Sequence, residues 1–318
     1  MEDSMLGWLK RIMGIGAQEV TAMCEPIFET DPGINPAPVM IKKFQSLTRV
    51  LQPAHTLRLR PGPEKPAFSE TSQVATRQLP LDWYGTTDTG KMRVRNEDNF
   101  SVLALAGKTL FVVADGMGGH DAGEVSSKIA MDAVCKVVQE EHEQSSDLLL
   151  LVERAVQQAN NEVRQEATRK GSNMGTTLCV ALVADDAAYI ANVGDSRAYW
   201  IEDGSLSQIT TDHSLVAKLV GAGKLTKEEA RTHPKANLLF RTIGTDENVI
   251  VDTFRVALKK GGALLLCTDG LWGEVDDDDI NKVCTTERDA KAMGDRLVEL
   301  ANERGGKDNI TAVAVRVL

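Results

Sequence analysis

The chain has 318 residues, 42% of them hydrophobic, which is enough for one large domain with a full core. Acidic residues outnumber basic ones by 46 to 36, and a net charge of −10 excludes general nucleic-acid binding, which needs a basic surface. The five cysteines form no Cys-x-x-Cys pair, no apolar run reaches the roughly 18 residues of a membrane helix, and no signal peptide is recognisable, so we expect reduced thiols and a cytoplasmic protein.

The first 80 residues differ in composition from the rest, because they hold nine of the chain's ten prolines. Proline interrupts helices and central strands, so we expect residues 1–80 to be a largely disordered N-terminal extension. Its start, residues 1–16, has the spacing of a short amphipathic helix, with Leu6, Leu9 and Ile12 on one face. Such a helix could dock on a membrane surface or a partner, and a frayed terminus is the alternative.

The composition becomes that of a globular domain from Trp83 onward. Residues 85–92 approach the pattern of a phosphate-binding P-loop, but Met92 stands where the loop needs Ser or Thr, so we assign no nucleotide site. Two cations and two carboxylates follow directly before a predicted strand: Arg93, Arg95, Glu97 and Asp98. On its own, this pattern would also fit a solvated charged turn.

Beyond this turn, the apolar spacing switches between the strand and helix periods. Strands are predicted over 100–105, 110–114, 176–183, 187–193, 198–202, 206–209, 249–256, 263–267 and 310–317. Helices are predicted over 122–143, 148–170, 276–284 and 287–304. The polar and basic stretch 211–245 reads as a short-helical surface flap. Because strands and helices come in segregated runs, the order favours an α+β fold: two antiparallel sheets in a sandwich with helices on both outer faces.

Four aspartates stand where predicted strands meet loops. Asp115 follows strand 110–114, Asp195 follows 187–193, Asp269 follows 263–267, and Asp308 precedes 310–317. A single Asp-Gly turn is ordinary loop chemistry, but its recurrence is not. If the strands share one core, the carboxylates can gather at one edge, where their repulsion is costly unless cations neutralise it. Oxygen ligands of this kind suit magnesium or manganese.

Six ordered motifs carry a family resemblance. They are Arg93-x-x-Asn96-Glu97-Asp98, Ala114-Asp115-Gly116-Met117-Gly118-Gly119-His120, Gly175-Thr176-Thr177, Gly194-Asp195-Ser196-Arg197, Cys267-Thr268-Asp269-Gly270-Leu271 and Asp308-Asn309-Ile310-Thr311. With them, the chain resembles the metal-dependent Ser/Thr protein phosphatases of the PPM, or type-2C, family, in its bacterial branch. The resemblance implies a four-layer αββα sandwich over residues 81–318, with the flap at about 211–245.

The resemblance also implies the site residues. Asp115 would bridge two ions, and the Gly116 carbonyl would bind one of them. Asp269 and Asp308 would complete the second ion, and Asp195 with Asp269 would hold a third. Glu97 and Asp98 would act through metal-bound waters, and Arg93 would bind the substrate phosphate. The implied cofactors are Mg²⁺ or Mn²⁺, as two core ions and a third.

The implied activity is hydrolysis of phosphoserine and phosphothreonine in proteins by a metal-activated water, without a covalent intermediate. We expect a monomer that acts in signal transduction on the substrates of a Ser/Thr kinase.

Met117 stands where some relatives carry a histidine proposed as general acid. His120 is three residues further on, and water is the other proton source. Two alternatives remain: an inactive phosphatase-like binding module, which the complete ligand set disfavours, and a metallohydrolase of small phosphate esters.

Overall fold

The computed structural model describes residues 79–118 and 122–318. Most of the expected N-terminal extension, with its amphipathic start, lies outside the described residues, and so does His120. The described residues form two antiparallel sheets flanked by helices, as the sequence predicts.

The first sheet has five strands, all in antiparallel register with their neighbours. Their order across the sheet is β1 (Leu81–Asp88), β11 (Ile310–Val317), β10 (Ala263–Cys267), β7 (Arg197–Glu202) and β8 (Ser205–Gln208). A tight turn at Asp203 and Gly204 joins the last two strands. Both residues have positive φ, 52° and 78°, as a two-residue hairpin turn of this kind requires.

The second sheet has six strands and is antiparallel as well. Its order is β2 (Asp98–Leu105), β3 (Lys108–Met117), β5 (Leu178–Ala184), β6 (Ala187–Val193) and β9 (Asp252–Ala257), with the short β4 (Gly175–Thr176) paired to the end of β3. Because β3 is central and apolar, it is buried over most of its length.

The two sheets pack face to face. Phe111 and Val113 of β3 share a fully buried cluster with Leu264 of β10. Side chains alternate along a strand, so the intervening Leu110 and Val112 point the other way and join a separate cluster under the helices. The alternation lets one strand serve two layers of core.

Helices cover both outer faces. The second sheet carries α1 (Ala122–Glu141) and α2 (Leu148–Lys170), and the first carries α6 (Asp277–Thr286) and α7 (Ala290–Glu303). Asp147 caps the start of α2 by accepting from the Leu150 N–H, and Gly171 ends it with a φ of 62°. The four layers are those of the predicted αββα sandwich.

The flap at 211–245 contains two short helices, α3 (Leu215–Gly221) and α4 (Lys227–Arg231). Thr226 and Glu229 form a reciprocal capping box at the start of α4. An exposed ion pair, with Lys227 Nζ 3.2 Å from Asp277 Oδ2, links α4 to α6. The short-helical prediction for this stretch is confirmed.

Strand β1 is the main element that sequence reasoning missed. Its threonines and Gly85 lack an apolar pattern, and as an edge strand it pairs only with β11. The glycine is needed because a Cβ at this position would collide with the ring of Phe100.

Among the described residues, none of the helices combines the length and apolarity that crossing a bilayer requires.

Candidate active site

The sheets bring the sequence-predicted residues to one end of the sandwich. Asp98 and Asp115 are cross-strand partners on β2 and β3, so Asp115 lies within its strand rather than after it. The remaining carboxylates come from three further connections: Asp195 follows β6, Asp269 begins the short helix α5 (Asp269–Trp272), and Asp308 precedes β11.

Asp98 is buried, and its two oxygens differ. Oδ2 accepts hydrogen bonds from the hydroxyls of Thr268, at 2.8 Å, and Thr311, at 2.6 Å. Oδ1 is buried with no hydrogen-bond partner. Burial, aided by the neighbouring charges of Asp269 and Asp308, raises the pKa of Asp98 to about 7 against the pull of the two hydroxyls. A buried carboxylate oxygen without a partner destabilises the fold, so Oδ1 is suited to contact a cation or a water.

Asp115 and Asp269 meet at the centre of the cluster. Burial raises the pKa of Asp115 well above its ordinary value, and the charges of Asp269, Asp98 and Asp195 add to this. Burial also raises the pKa of Asp269 to about 6, although a side-chain hydrogen bond with Asp115 lowers it. Asp269 Oδ1 is buried and has no hydrogen-bond partner. Two carboxyl groups in such contact cannot both stay ionised without a compensating positive charge.

Asp195 is buried at the rim of this cluster. Burial first, and then the charges of Asp269 and Asp212, raise its pKa well above the ordinary value. Its backbone carbonyl accepts from Trp272 Nε1 at 3.0 Å. The guanidinium of Arg197, which binds Asp212 through two nitrogens, stacks 3.6 Å from the Trp272 ring centre. The Asp195 backbone is thus held by Trp272, whose ring packs against the Arg197 guanidinium.

Arg93 is the cation at the mouth of the site. It is partly exposed and binds Asp308, with Nη2 2.7 Å from Oδ2. Glu97 lies beside them, and burial raises its pKa while the charge of Arg93 lowers it. Arg95 is exposed, and its backbone carbonyl accepts a hydrogen bond from Asn309 Nδ2 at 2.8 Å.

Two glycines let the backbone close in around Glu97. The Gly116 N–H donates to the Glu97 carbonyl at 3.2 Å, and a Cβ on Gly116 would lie 2.7 Å from that carbonyl. A Cβ on Gly123, in the first turn of α1, would lie 2.6 Å from the Glu97 carboxyl carbon. A larger residue at Gly116 would push against backbone carbonyls, whereas one at Gly123 would push only against the flexible carboxyl end of Glu97.

The donor set fits hard divalent ions. All the clustered groups are oxygen donors, two buried carboxylate oxygens have no hydrogen-bond partner, and burial, together with the charges of neighbouring carboxylates, raises the pKa values. Within residues 79–118 and 122–318, however, no three His, Cys, Asp or Glu side chains already surround a common point. Asp115 contacts Asp269, and Asp308 is turned to Arg93. An ion held by both Asp115 and Asp269 would therefore have to replace the hydrogen bond between them.

Several supporting residues were quoted as motif members without a role. Asn309 accepts from the Glu97 N–H at 2.8 Å and donates to the carbonyls of Thr89 and Arg95, which anchors the Arg93 turn. The Thr177 hydroxyl accepts from the Asp115 N–H at 2.9 Å. His213, on the flap, was not singled out at all, although it contacts the loop before Asp195. Along the sequence, the only sign of its role is a histidine within a polar segment.

Comparison with known proteins agrees with this geometry. The family model described as Protein phosphatase 2C matches residues 91–313. The serine/threonine phosphatase stp of Listeria monocytogenes is 37% identical over 238 residues, 72% of this chain and 93% of that protein. A serine/threonine phosphatase structure from S. agalactiae superposes with a TM-score of 0.71 at 32% identity, covering 75% of this chain and all of the other. The catalytic domain of the phosphatase PstP, in complex with 2 manganese ions, covers 75% of this chain and 98% of its own at a TM-score of 0.67 and 35% identity.

Proposed function

Because this chain belongs to the protein phosphatase 2C family, we propose which of its residues carry the reaction of that family. The protein is a metal-dependent serine/threonine protein phosphatase, and its substrates are phosphorylated proteins. The observation that supports our assignment best is the convergence of five aspartates from separate connections on one end of the sandwich, with Arg93 at the mouth.

We assign the ligands as follows. Asp115 and the Gly116 carbonyl would hold the first ion, Asp115 with Asp269 and Asp308 would hold the second, and Asp195 with Asp269 would hold a third. When bound, the ions supply positive charge that makes a water molecule acidic enough to attack phosphorus at neutral pH. The raised pKa values of Asp115 and Asp195 support this assignment, since bound cations would offset both the burial of these carboxylates and the repulsion from their neighbours.

Arg93 orients the substrate phosphate in this proposal. A guanidinium carries five N–H donors, so Arg93 can keep its bond to Asp308 and still present a pair of donors to phosphate oxygens. It stabilises the negative charge that grows on those oxygens in the transition state. Glu97 and Asp98 orient waters around the ions, and Asp98 is suited to this because one oxygen is fixed by two threonines while the other is unpartnered.

We further propose that Mg²⁺ or Mn²⁺ serves as the ion and that a Ser/Thr kinase supplies the substrates, since only such a kinase makes phosphoserine and phosphothreonine. The thiols of Cys179, Cys267 and Cys284 are free and buried, which supports a reducing, cytoplasmic location. We propose that the phosphatase domain, 81–318, acts as a monomer and that the N-terminal extension docks on a partner or a membrane surface.

The experiment is phosphate release from a phosphothreonine peptide with Mn²⁺, with Mg²⁺ and with excess chelator, beside p-nitrophenyl phosphate as a small ester. We expect turnover only with an added divalent ion, and a higher kcat/KM for the peptide. Full activity in chelator would refute the all-oxygen metal site. Exclusive use of the small ester would favour a small-molecule hydrolase.

A further inference from the structure

Two large apolar side chains flank Arg93 and are almost completely exposed. Val94 keeps 96% of its accessible surface and Met92 keeps 71%, the highest values among the large hydrophobic residues that the structure describes. Isolated exposed hydrophobics are ordinary, but these two sit on either side of the proposed phosphate ligand. Both are therefore sequence neighbours of that ligand and open to solvent.

The turn that carries them is held by backbone hydrogen bonds. The N–H groups of Lys91 and Met92 both donate to the Gly306 carbonyl, at 2.7 and 3.2 Å, and Asn309 Nδ2 donates to the carbonyls on both sides of the turn. Because the turn is anchored at both ends, the two apolar side chains cannot withdraw into the core without breaking these bonds. Their exposure is therefore a property of the anchored turn.

We propose that Met92 and Val94 form a contact for apolar residues that flank the phosphorylated residue of a protein substrate. The inference rests on the proposed phosphate contact of Arg93. Lys91, Arg93 and Arg95 surround the pair with positive charge, so the segment suits a phosphopeptide in which the phosphate is followed or preceded by an aliphatic side chain. Covering about two methylene groups in total changes the affinity about tenfold.

The test uses two phosphothreonine peptides that differ only in their flanking residues, Leu on both sides or Ser on both sides, with the full-length chain. We expect KM to be about tenfold lower for the Leu peptide, and Met92→Ser with Val94→Ser to remove that advantage with little change in kcat. Ile250→Ser is the matched control, because Ile250 is 68% exposed but lies outside the site. p-Nitrophenyl phosphate has no flanking residues and reports the chemistry separately.

Two outcomes would overturn the proposal: equal KM values for the two peptides in the unchanged protein, or a double variant that raises KM equally for both peptides and the small ester. The second would mean that Met92 and Val94 only support Arg93. If Arg93→Ala leaves small-ester hydrolysis intact, the phosphate assignment itself fails, whereas the Leu and Ser comparison still measures the apolar contact.

A different set of contacts joins the flap to the loop before Asp195. His213 is 2% exposed and is bonded to Gly194 in both directions. Its ring Nδ1 accepts from the Gly194 N–H at 3.0 Å, and the backbone N–H of His213 donates to the Gly194 carbonyl at 2.9 Å. Gly194 has a φ of 107°, and a Cβ there would lie 2.7 Å from the Cβ of Thr177, so this loop has little freedom.

The other end of the flap closes on the same histidine. The Phe240 N–H donates to the His213 carbonyl at 2.9 Å. The His213 Nε2 lies 2.8 Å from Arg241 Nη1 and 3.3 Å from Asp252 Oδ2, and Arg241 Nη1 in turn lies 2.6 Å from Asp252 Oδ1. The Nδ1 side of the ring therefore faces Gly194, and the Nε2 side faces the pair formed by Arg241 and Asp252.

We infer that His213 is a positioning residue that fixes the backbone at Gly194, and through it the orientation of the Asp195 carboxylate. This rests on the proposed role of Asp195 as a ligand. Trp272 Nε1 donates to the Asp195 carbonyl, so hydrogen bonds fix the loop at both Gly194 and Asp195. Partners that orient metal ligands typically affect ion affinity by about 10- to 100-fold when they are removed.

Two amide substitutions separate the contacts of the ring. In His213→Asn the side-chain oxygen can occupy the position of Nδ1 and accept from Gly194, whereas in His213→Gln the amide lies nearer the position of Nε2 and Asp252. Calorimetric titration of the full-length protein with Mn²⁺ should show that His213→Gln weakens, by about 10- to 100-fold, the ion class that Asp195→Asn abolishes, while His213→Asn retains it.

Amide exchange of Gly194, followed by NMR in chelator, gives a readout without ions. It should accelerate in His213→Gln and stay slow in His213→Asn. Unchanged exchange and unchanged ion affinity in His213→Gln would overturn the inference, as would equal weakening of every ion class. If Asp195→Asn keeps all ion classes, the ligand assignment fails, and the exchange measurement alone still decides whether His213 fixes the loop.

Discussion

The guanidinium of Arg93 and the carboxylate of Asp308 are directly bonded, with Nη2 2.7 Å from Oδ2. In our proposal one of them binds the substrate phosphate and the other binds an ion. Both are partly exposed, so the pair itself adds little to folding stability. The bond instead couples the two halves of the site, because it fixes the direction from which Arg93 can approach a phosphate.

Arg93→Ala should therefore lower kcat/KM by about 100-fold, since it removes a charge-assisted contact that strengthens in the transition state. Both KM and kcat should change. Arg93→Lys should recover only part of the activity, because an ammonium cannot present two parallel donors to phosphate. Steady-state kinetics with a phosphothreonine peptide measures these effects.

Arg95→Ala is the matched control, because Arg95 is an exposed arginine two residues away on the same turn. We expect its kcat/KM to stay within a few-fold of that of the unchanged protein, in line with a rim charge. Equal losses for both substitutions would mean that the phosphate contact is assigned to the wrong arginine.

The second prediction separates the ion sites. Asp115→Asn should abolish turnover, because in our assignment this carboxylate would hold both core ions and an amide oxygen carries no charge to hold them. Asp195→Asn should remove one ion class and lower activity while the other two ions still bind. Calorimetric titration with Mn²⁺, starting from chelator-treated protein, counts the classes directly.

Folding must be checked in the same samples, because both aspartates are buried in a repulsive cluster. Neutral Asn should leave the ion-free protein at least as stable as before, since it removes repulsion. Loss of every ion class in Asp195→Asn, with native circular dichroism, would contradict the separate role of Asp195.

Sequence reasoning located the aspartates because each stands next to an apolar strand, and this pattern depends on local composition alone. It gave Glu97 and Asp98 one common role, but the fold separates them. Asp98 is buried under two threonines from distant segments, whereas Glu97 lies near the surface beside Arg93. No spacing along the chain encodes that difference, which arises when β2, β10 and β11 pack together.

Strand β1 and His213 were missed for a related reason. The strand is recognisable only from its pairing with β11, because Gly85 and the threonines give it no apolar alternation. The histidine acts on Gly194 through contacts that exist only once the flap has folded back. Elements that depend on tertiary pairing carry little local signal.

The third prediction concerns pH in the absence of ions. Burial raises the pKa of Asp98 from its ordinary value of 3.8 to about 7. The folded protein therefore binds a proton more tightly than the unfolded chain does. The associated stability is present below the ordinary pKa and is lost as pH rises through about 7. In chelator, the urea midpoint should fall between about pH 4 and pH 7 on account of this group.

The lowered pKa of His213 acts in the opposite direction over part of this range, so the comparison must isolate Asp98. Asp98→Asn cannot titrate but can still accept hydrogen bonds from both threonines. The difference between the two proteins should therefore shift in favour of Asp98→Asn as pH rises. Saturating Mn²⁺ should shrink that shift, and a pH-independent difference in chelator would contradict the raised pKa.

The last prediction concerns where the catalytic part begins. The expected boundary lay at residue 81, but the preceding two residues already pair with the core. The Leu79 N–H donates to the Asp185 carbonyl at 3.3 Å, and the Pro80 carbonyl accepts from the Leu318 N–H at 2.9 Å. Asp82 Oδ2 accepts from the Ala290 N–H at 2.7 Å, where α7 begins.

A chain of residues 79–318 should therefore fold cooperatively and keep near-full activity on a short phosphopeptide, because every assigned site residue and its supporting contacts lie within it. A chain of residues 83–318 is the matched control: it loses the first pairs of β1 with β11 and the Asp82 contact to α7, and should be less stable by about 1–2 kcal/mol. Urea unfolding and peptide turnover measure both. If 79–318 binds ions normally yet turns over more than about tenfold more slowly, a loss of 1.4 kcal/mol or more in transition-state stabilisation, the N-terminal extension belongs to the catalytic domain and the boundary is wrong.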